Sequence, residues 1–273
     1  WDFDWRQSYP PYDLTPDAVY DARFAKQFGY HVQGFVRTNN PEYRFAVSHS
    51  DDQYGSIAFV RQHDDGDKKL SFIHETGSKH PSGLFTLGKY VGAVDGPNNL
   101  RLFDTSRLDE RHAIEYSMPE VGAESSGLRK GNGGVSMAKL SEDRYLVVVG
   151  VEPGSQNVTH FFEVEGDIEN PDETRFLGAW AYDQPSSWKG NYAGAENMSL
   201  ITECGTGHLY LLHTNGDSRL RGDGYWRLSR VLQTPSGPAL DVLKVYHMSQ
   251  NAEDCYLRGA ATAYVRGRND IDI

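Results

Sequence analysis

Gly133-Gly134-Val135-Ser136, then the polar turn Ser141-Glu142-Asp143, then Tyr145-Leu146-Val147-Val148-Val149: a strand opens on small residues, the chain reverses tightly, and an apolar strand runs back. The same device recurs on both sides. Toward the N-terminus stand Gln33-Gly34-Phe35-Val36 ahead of Tyr43 to Val47, and Ser82-Gly83-Leu84-Phe85 ahead of Tyr90 to Val94. Toward the C-terminus stand Glu196-Asn197-Met198-Ser199 ahead of Leu209 to His213, and Arg258-Gly259-Ala260-Ala261 ahead of a strand starting at Ile271. The small residues Gly34, Gly83, Gly134, Asn197 and Gly259 are 49, 51, 63 and 62 residues apart. Each interval holds one four-stranded unit, and repetition at this period points to units arranged radially about an axis.

Alternating apolar and polar residues mark the rest of each unit. With strand A innermost and D outermost, the first unit reads A near Val32 to Thr38, B Tyr43 to Ser48, C Ser56 to Arg61 and D Leu70 to His74. The second takes Leu100 to Asp104 as C and Ala113 to Ser117 as D; the third takes Val158 to Val164 and Phe176 to Trp180. The fourth takes Tyr225 to Val231 and Leu240 to Met248. The fifth has only A and B at the C-terminus. Its C and D strands are expected from the N-terminus, where Trp1, Phe3 and Trp5 alternate with Asp2, Asp4 and Arg6 and where Val19 to Phe24 reads as D. The expected fold is all-β: a single domain over residues 1–273, a five-bladed β-propeller of four-stranded antiparallel blades, the last closed by N-terminal strands. The blades fall at about 30–76, 80–118, 132–181, 195–249, and 256–273 plus 1–26. Such a closure removes the free sheet edges that invite aggregation.

Composition agrees with one closed β architecture: 273 residues, 12% aromatic, 28 Gly. A formal charge of -11 without a Lys or Arg cluster argues against a nucleic-acid partner. No apolar stretch approaches the roughly 20 residues of a membrane-spanning helix. Trp1 stands where a starting Met would be, and the expectation is a secreted or periplasmic chain whose leader was removed upstream. Cys204 and Cys255 are expected to stay free thiols. One closes an inner strand at one end of the barrel and the other precedes an inner strand at the other end. A strand of about seven residues, at about 3.3 Å each, separates those ends by far more than the roughly 4.4 to 6.8 Å a disulfide spans.

Loop lengths differ between the two faces. A-to-B and C-to-D turns are short and polar, as in Gly88-Lys89 and His63-Asp64-Asp65-Gly66-Asp67. D-to-A and B-to-C connections on the other face include Met118 to Gly133, Tyr182 to Ala195 and Asn215 to Gly224, and long loops on a rigid scaffold are where binding residues concentrate. On that face the first residues of the inner strands converge. Positions one and three before each opening residue share a side by the period of two, and they hold Gln33 and His31, Ser82 and His80, Glu196, Arg258 and Tyr256. His31, His80, Glu196, Arg258 and Tyr256 are the expected catalytic groups. Gln33, Ser82, Asn132, His49, His213, Trp188 and Tyr192 are the expected substrate contacts. The competing explanation is that these groups cap the channel and hydrogen-bond trapped water.

The B-to-C loops bring Ser48, His49, Asp51, Asp95, Glu152, His213 and Asp217 to the same face. Asp51, Asp95 and Glu152 are the oxygen donors expected to suit a calcium ion, which takes about six to eight oxygens. Asp95-Gly96 is equally a turn former. No recognised zinc spacing, nucleophile elbow, P-loop or dinucleotide fingerprint is present. Arg221-Gly222-Asp223 reads as a charged turn, and Asn157-Val158-Thr159 fits the N-glycosylation pattern.

In its repeat architecture the chain resembles five-bladed β-propellers, a group that includes sugar-cleaving enzymes, lectins and a nucleotide-cleaving enzyme, over nearly all 273 residues. The resemblance implies, for the glycosidases of that shape, carboxylates from separate blades with an Asp early in the first. Here that place holds His31 and Gln33, and Glu196 is the only carboxylate at the inner-strand openings. A two-carboxylate mechanism therefore lacks its partner unless Asp51 or Asp95 is recruited. The inventory fits another chemistry better. His80 or His31 exchanges protons, Glu196 orients one of them, Arg258 binds an anionic group through paired hydrogen bonds, and Tyr256 is a second acid. The expected function is a lyase or hydrolase acting at the channel mouth of a monomer on a small polar or anionic ligand, an oligosaccharide among them. The alternative is a non-catalytic carbohydrate-binding, adhesion or scaffold propeller. Blades that differ at the mouth favour one asymmetric site.

Overall fold

The computed structural model describes residues 31–50, 55–62, 68–76, 81, 83–95, 99–108, 113–119, 134–150, 158–181, 197–216, 223–249, 264–266 and 270–272. The first sheet holds β1 (His31–Arg37), β2 (Tyr43–Ser50), β3 (Gly55–Gln62) and β4 (Lys68–Thr76). The second holds β5 (Phe85–Leu87), β6 (Tyr90–Val94), β7 (Asn99–Asp104) and β8 (Ala113–Ser117). The third holds β9 (Val135–Ser141), β10 (Arg144–Gly150), β11 (Val158–Asp167) and β12 (Asn170–Ala181). The fourth holds β13 (Asn197–Thr202), β14 (Leu209–Gly216), β15 (Asp223–Thr234) and β16 (Gly237–Ser249). Each is an antiparallel meander in chain order, the A-to-D order expected from the sequence.

These sheets are propeller blades. Inner strands follow one another, β1 beside β5, β5 beside β9, β9 beside β13, while outer strand β8 meets β12 and β12 meets β16. Among the described residues, three separate cores lie between the blades. Val36, Ala46, Ile57 and Phe59 of the first blade pack on Leu84, Val91, Ala93 and Phe103 of the second. The other face of the second, with Tyr90, Leu100, Leu102 and Tyr116, packs on Tyr145, Val147, Val149, Phe162 and Val164 of the third. Leu146, Val148 and Phe161, the intervening residues of the third, pack on Met198, Leu209, Leu211 and Val231 of the fourth. This explains the unbroken run Tyr145 to Val149: a strand covered on both faces is apolar at odd and even positions alike.

The small opening residue has a steric cause at Gly34. A Cβ there would stand 2.7 Å from Ser48 Oγ, 3.1 Å from the Leu84 nitrogen and 3.3 Å from the Gly83 nitrogen. The backbones of neighbouring blades meet at this point. Hydroxyls stitch the inner edges further on: Thr86 Oγ1 donates to the Arg37 carbonyl at 2.7 Å, and the Leu200 N–H donates to Ser136 Oγ at 2.9 Å. At the A-to-B end, Asn39 and Asn40 amides donate to the Gly88 and Thr105 carbonyls at 2.8 and 2.7 Å. Lys89 Nζ lies 2.7 Å from Asp104 Oδ2 and 3.0 Å from Glu169 Oε1, joining the second blade to the third. The Lys89 ammonium is pushed upward by its hydrogen bonds to Asp104 and Glu169.

Four complete blades stand among the described residues, where five were expected. A fifth sheet is a hairpin of β17 (Tyr264–Arg266) and β18 (Asp270–Asp272); β18 spans Ile271, where strand B was expected to start, while Arg258 to Ala261, where strand A was expected to open, lie outside the described residues. Residues 1–30, expected to supply its C and D strands, lie outside the described residues. The apolar faces that a further blade would cover are present. Phe35, Phe45 and Val47 on the first blade, and Ile201, Leu212 and Leu228 on the fourth, join none of the three inter-blade cores. Phe35 is 40% exposed and stacks on Phe45 at 5.1 Å.

Candidate functional site

Of the expected site residues, His213 and Asp95 are described with their side chains, and His31, Gln33 and His49 by their backbone. His80, Ser82, Asn132, Glu196, Trp188, Tyr192, Arg258, Tyr256, Asp51 and Glu152 lie outside the described residues. Ser48 and His213 are strand residues rather than loop residues. β2 runs to Ser50 and β14 to Gly216, because the ladders to β3 and β15 extend as far as Ser50↔Gly55 and Gly216↔Gly224. Gln33 sits at a bulge, since β1 pairs Val32 with His49 and then Gly34 with Ser48. An extra residue interrupts the alternation by which His31 and Gln33 were expected to share a side.

His213 faces Arg227 directly across the β14–β15 ladder. Alternation places it beyond Leu209 and Leu211 on the side packed against the third blade, where the apolar core ends toward the face at which the inner strands begin. Only 5% of each residue is exposed, and Arg227 Nη1 stands 2.7 Å from His213 Nε2. A guanidinium carries only donors, so Nε2 accepts and the imidazole proton rests on Nδ1. Burial, then the charge of Arg227, hold the imidazole well below the usual histidine range, and it is neutral at pH 7. His213 Nδ1 and the nearby Ser229 Oγ find no hydrogen-bond partner among the described residues. His213 thus offers a buried, oriented N–H donor beside a fixed positive charge, a pairing suited to binding rather than to taking up a proton.

Asp95 is the last described residue after β6, is buried, and accepts from Arg101 Nη2 at 2.7 Å; the same guanidinium reaches Glu115. An Asp already paired with an arginine is a weaker ligand for a cation than the sequence suggested. No group of three or more His, Cys, Asp or Glu residues is gathered for a metal among the described residues. Cys204 is a free, exposed thiol in the turn between β13 and β14, and Cys255 lies outside the described residues.

Arg227 was missed by inspection of the openings because it lies on the third strand of its blade. The signal was present in Tyr225-Trp226-Arg227-Leu228-Ser229-Arg230-Val231, whose alternation puts Arg227 and Ser229 on the side of Val231, where apolar residues are expected. A second feature escaped the sequence altogether. A cavity of about 480 Å³ lies at the opposite end of the inner strands, lined by the last residues of β5, β9 and β13. None of the expected site residues lines it.

No family model matches the chain, and no curated protein matches it. Several solved structures do. A Bombyx mori GH32 β-fructofuranosidase is 12% identical with a TM-score of 0.48, over 87% of this chain and 53% of that one. A thermostable family-43 glycoside hydrolase is 12% identical with a TM-score of 0.39, over 72% and 73%. The N-terminal domain of Nup159 is 9% identical with a TM-score of 0.35, over 77% and 47%. The chain thus spans about half the length of the first and third of these. At such values the likenesses assign no chemistry, and the propeller architecture rests on sheet order and inter-blade packing.

Proposed function

We propose that this chain is a carbohydrate-acting propeller enzyme, a hydrolase or lyase, with one site at the face where the inner strands begin and a preference for anionic sugars. The observation that carries this reading is the buried Arg227–His213 pair, a fixed positive charge beside an oriented N–H donor at that end of the fourth blade. A carboxylate or sulfate on a sugar is the ligand such a pair complements. Glu196, one residue before β13, with His31 and His80 performs the proton transfers, Arg258 shares the anion and Tyr256 is the second acid. Gln33, Ser82, Asn132 and His49 hydrogen-bond hydroxyls, and Trp188 and Tyr192 stack on sugar faces. Calcium, where turnover requires it, is held by Asp51 and Glu152, with Asp95 kept on Arg101. A fifth blade, built from the β17–β18 hairpin and residues 1–26, completes the ring of a secreted or periplasmic monomer; the apolar faces bearing Phe35, Phe45 and Val47 and bearing Ile201, Leu212 and Leu228, outside the three inter-blade cores, support it.

The test is a turnover screen of acidic oligosaccharides, neutral glycans and phosphoesters, with and without calcium, on the full chain and on Glu196→Gln and His80→Ala. Expected is cleavage of an acidic oligosaccharide that falls by about 100-fold or more in Glu196→Gln while binding changes little. Glycan binding without turnover by the wild type would make it a binding module. Unchanged turnover in both variants would remove the proton-transfer assignment.

A further inference from the structure

The three inner strands of the second, third and fourth blades end around the cavity of about 480 Å³ on the side of the short A-to-B turns. Its size falls within the roughly 300–1,000 Å³ of small-molecule sites. Leu87, Leu140 and Leu200, one from the end of each strand, are only half-buried there. Leu87 packs in part on the core between the second and third blades, Leu140 and Leu200 on that between the third and fourth, and the parts left open to water constitute an apolar surface that a ligand would cover. Thr86, Ser141 and Thr202 add hydroxyls at the margin, and Lys139 adds the one cation of the described lining. Among the described residues the Lys139 ammonium stands over the Tyr145 ring, 5.9 Å from its centroid, and meets no carboxylate. At this end Lys89 is matched by Asp104 and Glu169, and Arg144 by Glu163. In a chain of net charge -11, a cation that meets no anion among the described residues, beside an apolar hollow, is set apart.

We propose that this axial cavity is a second binding site, for a small amphipathic carboxylate whose aliphatic body covers the three leucines and whose carboxylate meets Lys139. The site lies at the other end of the inner strands from Arg227 and His213 and is independent of the function proposed for them.

Sodium octanoate is the probe, with 1-octanol as its uncharged counterpart, titrated calorimetrically into the full chain and into two variants. Lys139→Gln removes the charge at an exposed position with a side chain one atom shorter. Thr202→Trp, also exposed, fills the hollow. The expected result is saturable octanoate binding to the wild type, weakened about fivefold in Lys139→Gln, with octanol binding unchanged by that substitution. Thr202→Trp is expected to abolish binding of both probes with its melting temperature preserved. Absence of octanoate binding to the wild type, or equal binding by all three proteins, overturns the proposal. Equal weakening of octanoate and octanol by Lys139→Gln overturns the role of the charge.

Discussion

At the scale of single residues, the fourth blade holds a histidine whose protonation is tied to folding. In the folded chain burial and the neighbouring Arg227 keep His213 neutral to well below the usual histidine range, whereas the unfolded chain takes up a proton at about pH 6.5. A base whose folded value is depressed contributes stability that is present above its unfolded value and is lost as the pH falls below it. The unfolded state then binds the extra proton, and the loss reaches at most about 1.4 kcal/mol per pH unit. Urea unfolding between pH 7.5 and 5 should therefore show a steeper decline for the wild type than for His213→Gln, although the variant starts less stable. Parallel curves would mean that the imidazole titrates in the fold. From the sequence His213 was expected on a B-to-C loop, and neither its burial in β14 nor its neutrality was foreseen, because Arg227 is its partner through a ladder register the sequence does not print.

At the scale of elements, the inner strands determine how closely the blades approach. Gly34 is small because the Leu84 and Gly83 nitrogens of the second blade stand at 3.1 and 3.3 Å from where its Cβ would be. Gly34→Ala should cost about 1–3 kcal/mol, read as a lower urea midpoint at unchanged slope. Adding Ser48→Ala removes the nearest clash, with Ser48 Oγ at 2.7 Å, and should return only part of that loss, since the backbone nitrogens remain. Wild-type stability in the single variant would mean that the blades separate freely. The repeat of small residues was plain in the sequence, and β8 lies at Ala113–Ser117 as expected, whereas β12 (Asn170–Ala181) and β16 (Gly237–Ser249) run beyond the expected Phe176 to Trp180 and Leu240 to Met248. The bulge at Gln33 was not, because a bulge is a property of two paired strands and the alternation of one strand does not reveal it.

At the scale of the whole molecule, the first blade bears Phe35, Phe45 and Val47 and the fourth bears Ile201, Leu212 and Leu228, two apolar faces that the proposed fifth blade would cover. Removing residues 1–26 should leave both faces to water. A loss on the order of 10 °C in Tm, with aggregation, is expected, and a synthetic 1–26 peptide added in trans should recover part of it. An undiminished Tm in the truncated chain would leave the ring to be closed by other means.

The sequence alone determined that the chain is built of four-stranded repeats, because spacing and a two-residue period are local properties written along the chain. Only the tertiary structure decided that His213 and Arg227 face each other, that Asp95 belongs to Arg101, and that Leu87, Leu140 and Leu200 surround a hollow at the opposite end. Those relations cross between strands and between blades, where ladder register and blade packing fix the distances.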